Sequence, residues 1–291
     1  MDKKDYRLKG HESFTLREGW LTKGLNAVHE NPRVFSESSG ADALGVGTNM
    51  AKSIRYWLRT AGLTKEHPHD GVTLTEYGDL IFQKDPYFED IFSLWVIHAN
   101  ISRNFKLATS WNIFFNNIDV TSFKRDELIN MMTENFINIT GDTTPSERSV
   151  KDDCAAILQM YTENGDASAD PEEKRISPFS VLGFLNKVDP NTFEKRRPAM
   201  DSIDPSLILY VIADKLREEG VRPIDDIVSG DNMPGKVFYL NRVSVNEYLD
   251  QLQNKGYIRV NRTAGLDVVY PAHMPTTYAI LEEHYERSHN A

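Results

Sequence analysis

Between Leu44 and Lys65 the chain reads LGVGTNMAKSIRYWLRTAGLTK, and its apolar positions recur at helical spacing. On a projection of ~100° per residue, Met50, Ile54, Trp57, Leu58 and Ala61 share one side. Asn49, Lys52, Ser53, Arg55, Tyr56, Arg59 and Thr60 fall on the other. Leu44-Gly45-Val46-Gly47 predicts a tight turn ahead of this helix, and Gly62 predicts its C-terminal cap. Upstream, Leu21–Val28 has helical spacing after HESFTLREGW (His11–Trp20), and Arg33–Ala43 leads into the turn. Downstream, Leu63–Lys65 and Val72–Leu74 flank His67-Pro-His-Asp-Gly71 as the strands and loop of a hairpin. Thr75 then caps a helix through Phe82, with Glu76 favourable in its first turn. Helix, turn, helix and hairpin in that order predict a winged helix-turn-helix over residues 1–90.

The middle of the chain is helical by pattern. Phe88–Asn100 and Ala108–Asn116 are rich in Phe, Trp and Ile, with Arg103 and Lys106 between them. Phe123–Phe136 and Ser146–Tyr161 are amphipathic, the second placing Val150, Cys154, Ile157, Leu158 and Tyr161 on one stripe. Residues 91–162 are therefore expected to form a helical scaffold. Glu163–Arg175, ENGDASADPEEKR, is acidic and lacks apolar period, which predicts an interdomain linker. After it, Phe184–Arg197 predicts a hairpin turning at Asp189-Pro-Asn191. Asp204 and Pro205 open a helix to Glu219, and Pro223–Val228 forms a shorter one. Ser244-Val-Asn-Glu247 has the form of a capping box for a helix to Asn254, closed by Gly256. Tyr257–Val260 and Leu266–Tyr270 pair across Asn261–Gly265. Residues 176–291 thus predict a second, winged-helix-like domain, and the fold class is mainly α with small β-hairpins.

Composition narrows the setting. At 291 residues, 40% hydrophobic and 26% charged, the chain has the makeup of a globular protein with two or three cores. There is no apolar run of about 18 residues for a membrane span and no signal-peptide core, so a cytoplasmic location without membrane contact is expected. One cysteine, Cys154, excludes a disulfide framework within the chain and a multi-cysteine zinc site. The formal net charge of −10 argues against a protein that coats nucleic acid indiscriminately. Against that background Leu44–Lys65 carries Lys52, Arg55, Arg59 and Lys65 and no acid. A basic, amide-bearing helix behind a glycine turn suits a DNA groove. Lys52, Arg55 and Arg59 are expected on phosphates, and Asn49, Ser53 and Tyr56 nearer base edges. In the C-terminal domain the helix offers Asn246, Asp250 and Gln253, and only the hairpin, through Arg259 and Arg262, is basic.

Catalytic chemistry is harder to place. His11 and Glu12, with Arg17 nearby, offer a base, a carboxylate and a phosphate-binding cation ahead of the basic helix. Asp152 and Asp153 are the reserve candidates. Ion pairing within the protein is the better account of each group. His67 and His69 lack further ligands in sequence, His98 sits in an apolar helix as a core histidine, and Cys154 falls on an apolar stripe as a small hydrophobe. No P-loop or dinucleotide fingerprint is present. No cofactor is evident, and the metal is unknown; a nicking activity would call for Mg²⁺ or Mn²⁺.

Gly10–Gly24 (GHESFTLREGWLTKG), Leu44–Trp57 (LGVGTNMAKSIRYW), Leu74–Gly78 (LTEYG), Asp90–Ile101 (DIFSLWVIHANI) and Ser149–Cys154 (SVKDDC) resemble a bacterial domain-of-unknown-function family. Its members occur in DNA phosphorothioation and phage-defence islands, and the likeness runs along nearly the whole chain, most densely over residues 10–160. The resemblance implies a DNA-facing component of a sulfur-modification machine. The implied partners are DNA, a cysteine desulfurase, an ATP pyrophosphatase-like sulfurtransferase and an ATPase. It also implies a DNA-nicking endonuclease role, which the residues themselves do not announce. The alternative is a non-enzymatic DNA-binding adaptor or transcriptional regulator, and a homodimer stays open.

Overall fold

The computed structural model describes residues 5–36, 40–141, 143–163, 176–263 and 265–289. The protein is mainly helical, with three small antiparallel sheets among the described residues. No helix among them is long and apolar enough to cross a membrane. The chain divides into two compact units, Met1–Arg196 and Arg197–Ala291.

The N-terminal unit opens with α1 (Trp20–Glu30), α2 (Gly40–Ala43) and α3 (Thr48–Thr60). Gly47, extended, stands at the N-cap of α3. Gly62, at φ +76°, donates to the Arg59 carbonyl, and Leu63 donates to the Leu58 carbonyl. Those two bonds are a Schellman ending, which needs a left-handed residue after the cap. The hairpin follows as β1 (Thr64–His67) and β2 (Gly71–Leu74), in register from Thr64 opposite Leu74 to His67 opposite Gly71. Thr75 Oγ1 caps α4 (Glu76–Lys84) by accepting from Gly78 N at 2.9 Å.

Next, α5 (Ile91–Ser102) is buried on nearly every side. It starts later than the Phe88 that periodicity predicts, because Phe88 turns left-handed (φ +57°) and Asp90 takes the cap. His98 lies fully buried on α5, its Nδ1 3.0 Å from the Tyr161 hydroxyl and its ring against Phe115 and Phe184. Beyond it lie α6 (Thr109–Asn116), β3 (Ser122–Lys124), α7 (Arg125–Thr140) and α8 (Glu147–Tyr161). The helix predicted over Phe123–Phe136 thus starts two residues later, behind a strand, and runs on to Thr140. Phe123 faces Phe193 across the sheet β3-β5-β4, where β4 is Leu185–Lys187 and β5 is Thr192–Lys195.

That sheet corrects the expected domain division. The predicted hairpin Phe184–Arg197 belongs, through Arg196, to the N-terminal unit rather than to the C-terminal domain. Phe184 packs on Trp95 and His98, and the buried Lys195 ammonium donates to the carbonyls of Phe114 and Ile118 near the end of α6. A buried ammonium held by such hydrogen bonds costs much to pull away. The boundary therefore falls at Arg196–Arg197. The stretch predicted as a linker, Glu163–Arg175, lies outside the described residues beyond Glu163.

The C-terminal unit is built on α9 (Pro205–Glu219), capped by the Asp204 carboxylate as predicted. Around it are β6 (Arg222–Pro223), α10 (Ile224–Ser229), α11 (Pro234–Val237), α12 (Arg242–Asn254), β7 (Ile258–Asn261), β8 (Val268–Pro271) and α13 (Thr277–His289). The sheet order is β6-β8-β7. Asn241 caps α12 by accepting from Ser244 N, so the helix begins ahead of the capping box predicted at Ser244. Periodicity did not predict α13, whose buried residues include Ile280, Leu281 and Tyr285. Arg287 of α13 reaches Asp204 Oδ2 at 2.8 Å, tying the last helix to the start of α9.

Gly78, inside α4, generates a test. A Cβ there would stand 2.0 Å from the Leu63 carbonyl oxygen. Glycine to alanine within a helix ordinarily gains ~1 kcal/mol. Gly78→Ala is expected to lower stability instead, because backbone must move to admit the methyl. A urea denaturation midpoint equal to or above the wild type would refute this account of the packing.

Candidate nucleic-acid interface

The inner face of α3 is wider than its apolar stripe. Ile54, Trp57 and Leu58 are fully buried, and so is Ser53. The Phe14 carbonyl accepts from both Ser53 Oγ (3.1 Å) and Trp57 Nε1 (3.2 Å). Tyr56 is buried too, donating to the Leu107 carbonyl at 3.0 Å. Gly10 lies so close to its ring that a Cβ would stand 2.3 Å from Cε2. Burial, aided by the Asp153 charge, pushes the Tyr56 phenol well above its ordinary value. Ser53 and Tyr56, expected near base edges, are therefore turned inward. Their hydroxyls donate to backbone carbonyls, Ser53 sharing the Phe14 carbonyl with Trp57.

What α3 leaves outside is a narrower, basic edge. Asn49 and Lys52 are exposed, and the side chains of Arg55 and Arg59 are 38% and 37% exposed. Glu66 on β1 lies against both arginines: Arg55 Nε donates to Oε1 at 2.9 Å, and Arg59 Nη1 donates to Oε2 at 3.2 Å. Lys65, its neighbour, is exposed. Two open clefts meet at this trio. One, of about 800 Å³, is lined further by Arg33, Ser36, His67 and His69. The other, of about 260 Å³, is lined further by Arg7, Glu12, Lys52 and Tyr56. Neither Glu66 nor Arg33 nor Arg7 is marked as a site residue by the sequence. Their distance from the α3 cations follows no helical or strand spacing, so no periodicity points to them.

The two groups considered for catalysis come together, but inside the protein. The chain at residues 9–13 is tightly wound, with Lys9, Glu12 and Ser13 all at positive φ. Asp153 on α8 gathers it: Lys9 N donates to Oδ1 at 3.0 Å, His11 Nε2 lies 2.9 Å from Oδ1, and Ser110 Oγ donates to Oδ2 at 2.6 Å. His11 and Asp153 are each 1% exposed. The His11 ring stacks on Trp57 at 6.0 Å and meets Trp111 edge-on at 5.6 Å. Asp152 stays at the surface, paired with the Lys9 ammonium, which holds its carboxyl below the ordinary value, and with Ser13 Oγ. Arg17 lies over the rings of Trp20 and Phe14, and Glu12 is exposed. His11 thus anchors the turn.

Several other candidates are settled by burial or pairing. Cys154 is fully buried, and burial, with the charge of Asp153, raises its thiol, so it packs as a small hydrophobe. In the C-terminal unit Arg262 folds back on α12, donating to Asp250 (2.7 Å) and Asn246 (3.0 Å), while Arg259 remains exposed. His67 Nε2 lies 3.1 Å from Thr73 Oγ1. Among the described residues no three His, Cys, Asp or Glu side chains group closely enough to hold a metal ion.

The Asp153 cluster makes a clear demand on stability. Asp153→Ala leaves His11 and Ser110 buried without their acceptor and should cost about 3–5 kcal/mol. Asp153→Asn keeps the volume and one acceptor and should cost less. Denaturant titration of the two variants checks the order, and a loss under about 1 kcal/mol in the alanine variant would contradict it.

A family model for a protein of unknown function, DUF4007, matches residues 8–285. No curated protein matches the sequence. Among solved structures, the magnesium ion-bound SspB crystal structure aligns at a TM-score of 0.85 and 23% identity, over 96% of this chain and 88% of that one. A second SspB crystal structure aligns at 0.84, with the same identity and coverage. The family match spans nearly the whole chain, so the protein belongs to the DUF4007 family.

Proposed function

We propose that this protein binds DNA through the exposed edge of α3 and serves as the DNA-facing component of a bacterial phosphorothioation and antiphage-defence system. The observation that carries the binding is the gathering of Lys52, Arg55 and Arg59, with Arg7 and Arg33 beside them, in a chain of net charge −10. A local cationic edge on an acidic protein attracts a polyanion at one place and repels it elsewhere. In this reading α2, α3 and the β1–β2 hairpin act as a winged helix-turn-helix. Lys52, Arg55 and Arg59 meet phosphates, and Asn49 is the side chain left to approach base edges. The place in a phosphorothioation system rests on the DUF4007 membership and the SspB-like fold, together with the family's setting. A cysteine desulfurase, an ATP pyrophosphatase-like sulfurtransferase and an ATPase are the partners such a component would serve. The reading stops at binding. His11 is buried against Asp153, so the exposed edge of α3 carries the proposal, and a nicking role with Mg²⁺ or Mn²⁺ would call on residues other than His11.

Removing Lys52 and Arg59 together tests the edge. The double alanine variant should bind duplex DNA more weakly at every sequence tried. Its log–log salt dependence should flatten by roughly 0.9 for each phosphate the protein no longer neutralises. Fluorescence anisotropy across a salt series measures both. A folded variant with unchanged affinity and slope removes α3 from the interface.

A further inference from the structure

We propose that Arg55 and Arg59 form a two-pronged phosphodiester site that Glu66 occupies as a stand-in within the chain, so that this one hairpin carboxylate sets the affinity for DNA. The inference rests on the DNA-binding reading above and concerns how that site is held before DNA arrives.

The geometry is that of an anion already bound. Each Glu66 oxygen takes a separate guanidinium, Oε1 from Arg55 at 2.9 Å and Oε2 from Arg59 at 3.2 Å. A phosphodiester presents its two non-bridging oxygens in the same paired manner, and guanidinium groups bind both kinds of anion through such pairs. Helix spacing puts Arg55 and Arg59 one turn apart on α3, so their side chains project together. The competitor comes from outside the helix, on β1, where the cross-strand pairing of Glu66 with Val72 fixes its backbone.

The surroundings separate this contact from an ordinary surface ion pair. Arg55, Arg59 and Glu66 line both clefts, the larger toward Arg33, His67 and His69 and the smaller toward Arg7 and Lys52. Glu66 therefore stands where the two basic clefts meet. Withdrawn from the fork, it would leave a joined groove in which Arg7, Arg33, Lys52, Arg55 and Arg59 outnumber the one remaining acid, Glu12, and which could follow a run of backbone phosphates. Its side chain is 29% exposed, so water and salt already weaken the pair, and nothing buried has to be broken to release it. The hairpin keeps its own ladder and its attachment through Val72 N to the Pro32 carbonyl while the side chain moves.

Glu66→Gln removes the charge and keeps the shape. In anisotropy titrations with one duplex DNA, the variant should bind roughly three- to tenfold tighter than wild type, with a steeper salt dependence. The same substitution placed on Arg55→Ala/Arg59→Ala should give no gain, because the fork it unblocks is absent. A gain retained on that background would mean general charge repulsion and would overturn the proposal. So would equal or weaker binding by Glu66→Gln in a protein whose wild type binds, and that result leaves the DNA-binding reading standing. Binding by Glu66→Gln where wild type shows none supports the proposal strongly. A chain that binds no DNA in any folded variant overturns both. Circular dichroism of each variant confirms folding before titration.

Discussion

One buried carboxylate, Asp153, ties the first residues of the N-terminal unit to α6 and α8. It accepts from the Lys9 amide and the Ser110 hydroxyl and faces His11, drawing the first residues of the chain onto α8 from far away in sequence. A charge with almost no exposure persists only when its oxygens are filled, and here groups from two segments, the turn at residues 9–13 and α6, fill them. The strained turn at residues 9–13 is tolerable because this network over-determines it. His11, so fixed, lies against Trp57 and Trp111, and through them α3 and α6 are packed on the same cluster.

That packing sets how α3 can face outward. Phe14 and Leu107 take hydrogen bonds from Ser53, Trp57 and Tyr56, so part of the helix's polar surface is used inside the protein. Asn49, Lys52, Arg55 and Arg59 are left at the rim, with Thr48 at the start of the helix. The hairpin then adds an acid to this rim through Glu66. In the C-terminal unit the same kind of contact appears with the charges exchanged: Arg262, following the hairpin strand β7, reaches back to Asp250 and Asn246 on α12. Each unit thus clips its hairpin to the preceding helix by an exposed ion pair. In the first the helix supplies the cations, in the second the hairpin does. A cationic helix suits an anionic polymer, whereas the neutralised α12 face has no such bias.

Local chemistry made much of the first unit legible in the sequence. The stops of α3 at Gly47 and Gly62, the β1–β2 hairpin and the Thr75 cap, and in the second unit the Asp204 cap, all follow from residues within a few positions of each other, where capping and turn rules act. The two stretches GHESF and SVKDDC stood out as shared motifs, and the contact between them explains both: one supplies His11 and the other Asp153. The edge cations Lys52, Arg55 and Arg59 were likewise readable from helical phase. Phase alone, however, placed Ser53 and Tyr56 with them.

By itself, then, the sequence determined most of the helices and hairpins, though not α13 or β3, where most of them stop, and that a basic helix sits near the N-terminus. The tertiary structure decided which polar side chains of that helix are consumed by buried carbonyls, which acid faces its arginines, and that the hairpin before Arg197 belongs to the first unit. It also decided that His11 and Asp153 meet in the core. The physical reason is the range of the forces concerned. Capping, turns and amphipathic period act between near neighbours, so the local order of residues contains them. The pairing of Glu66 with Arg55 and Arg59, and of His11 with Asp153, depends on desolvation and on partners brought close only when separate elements pack.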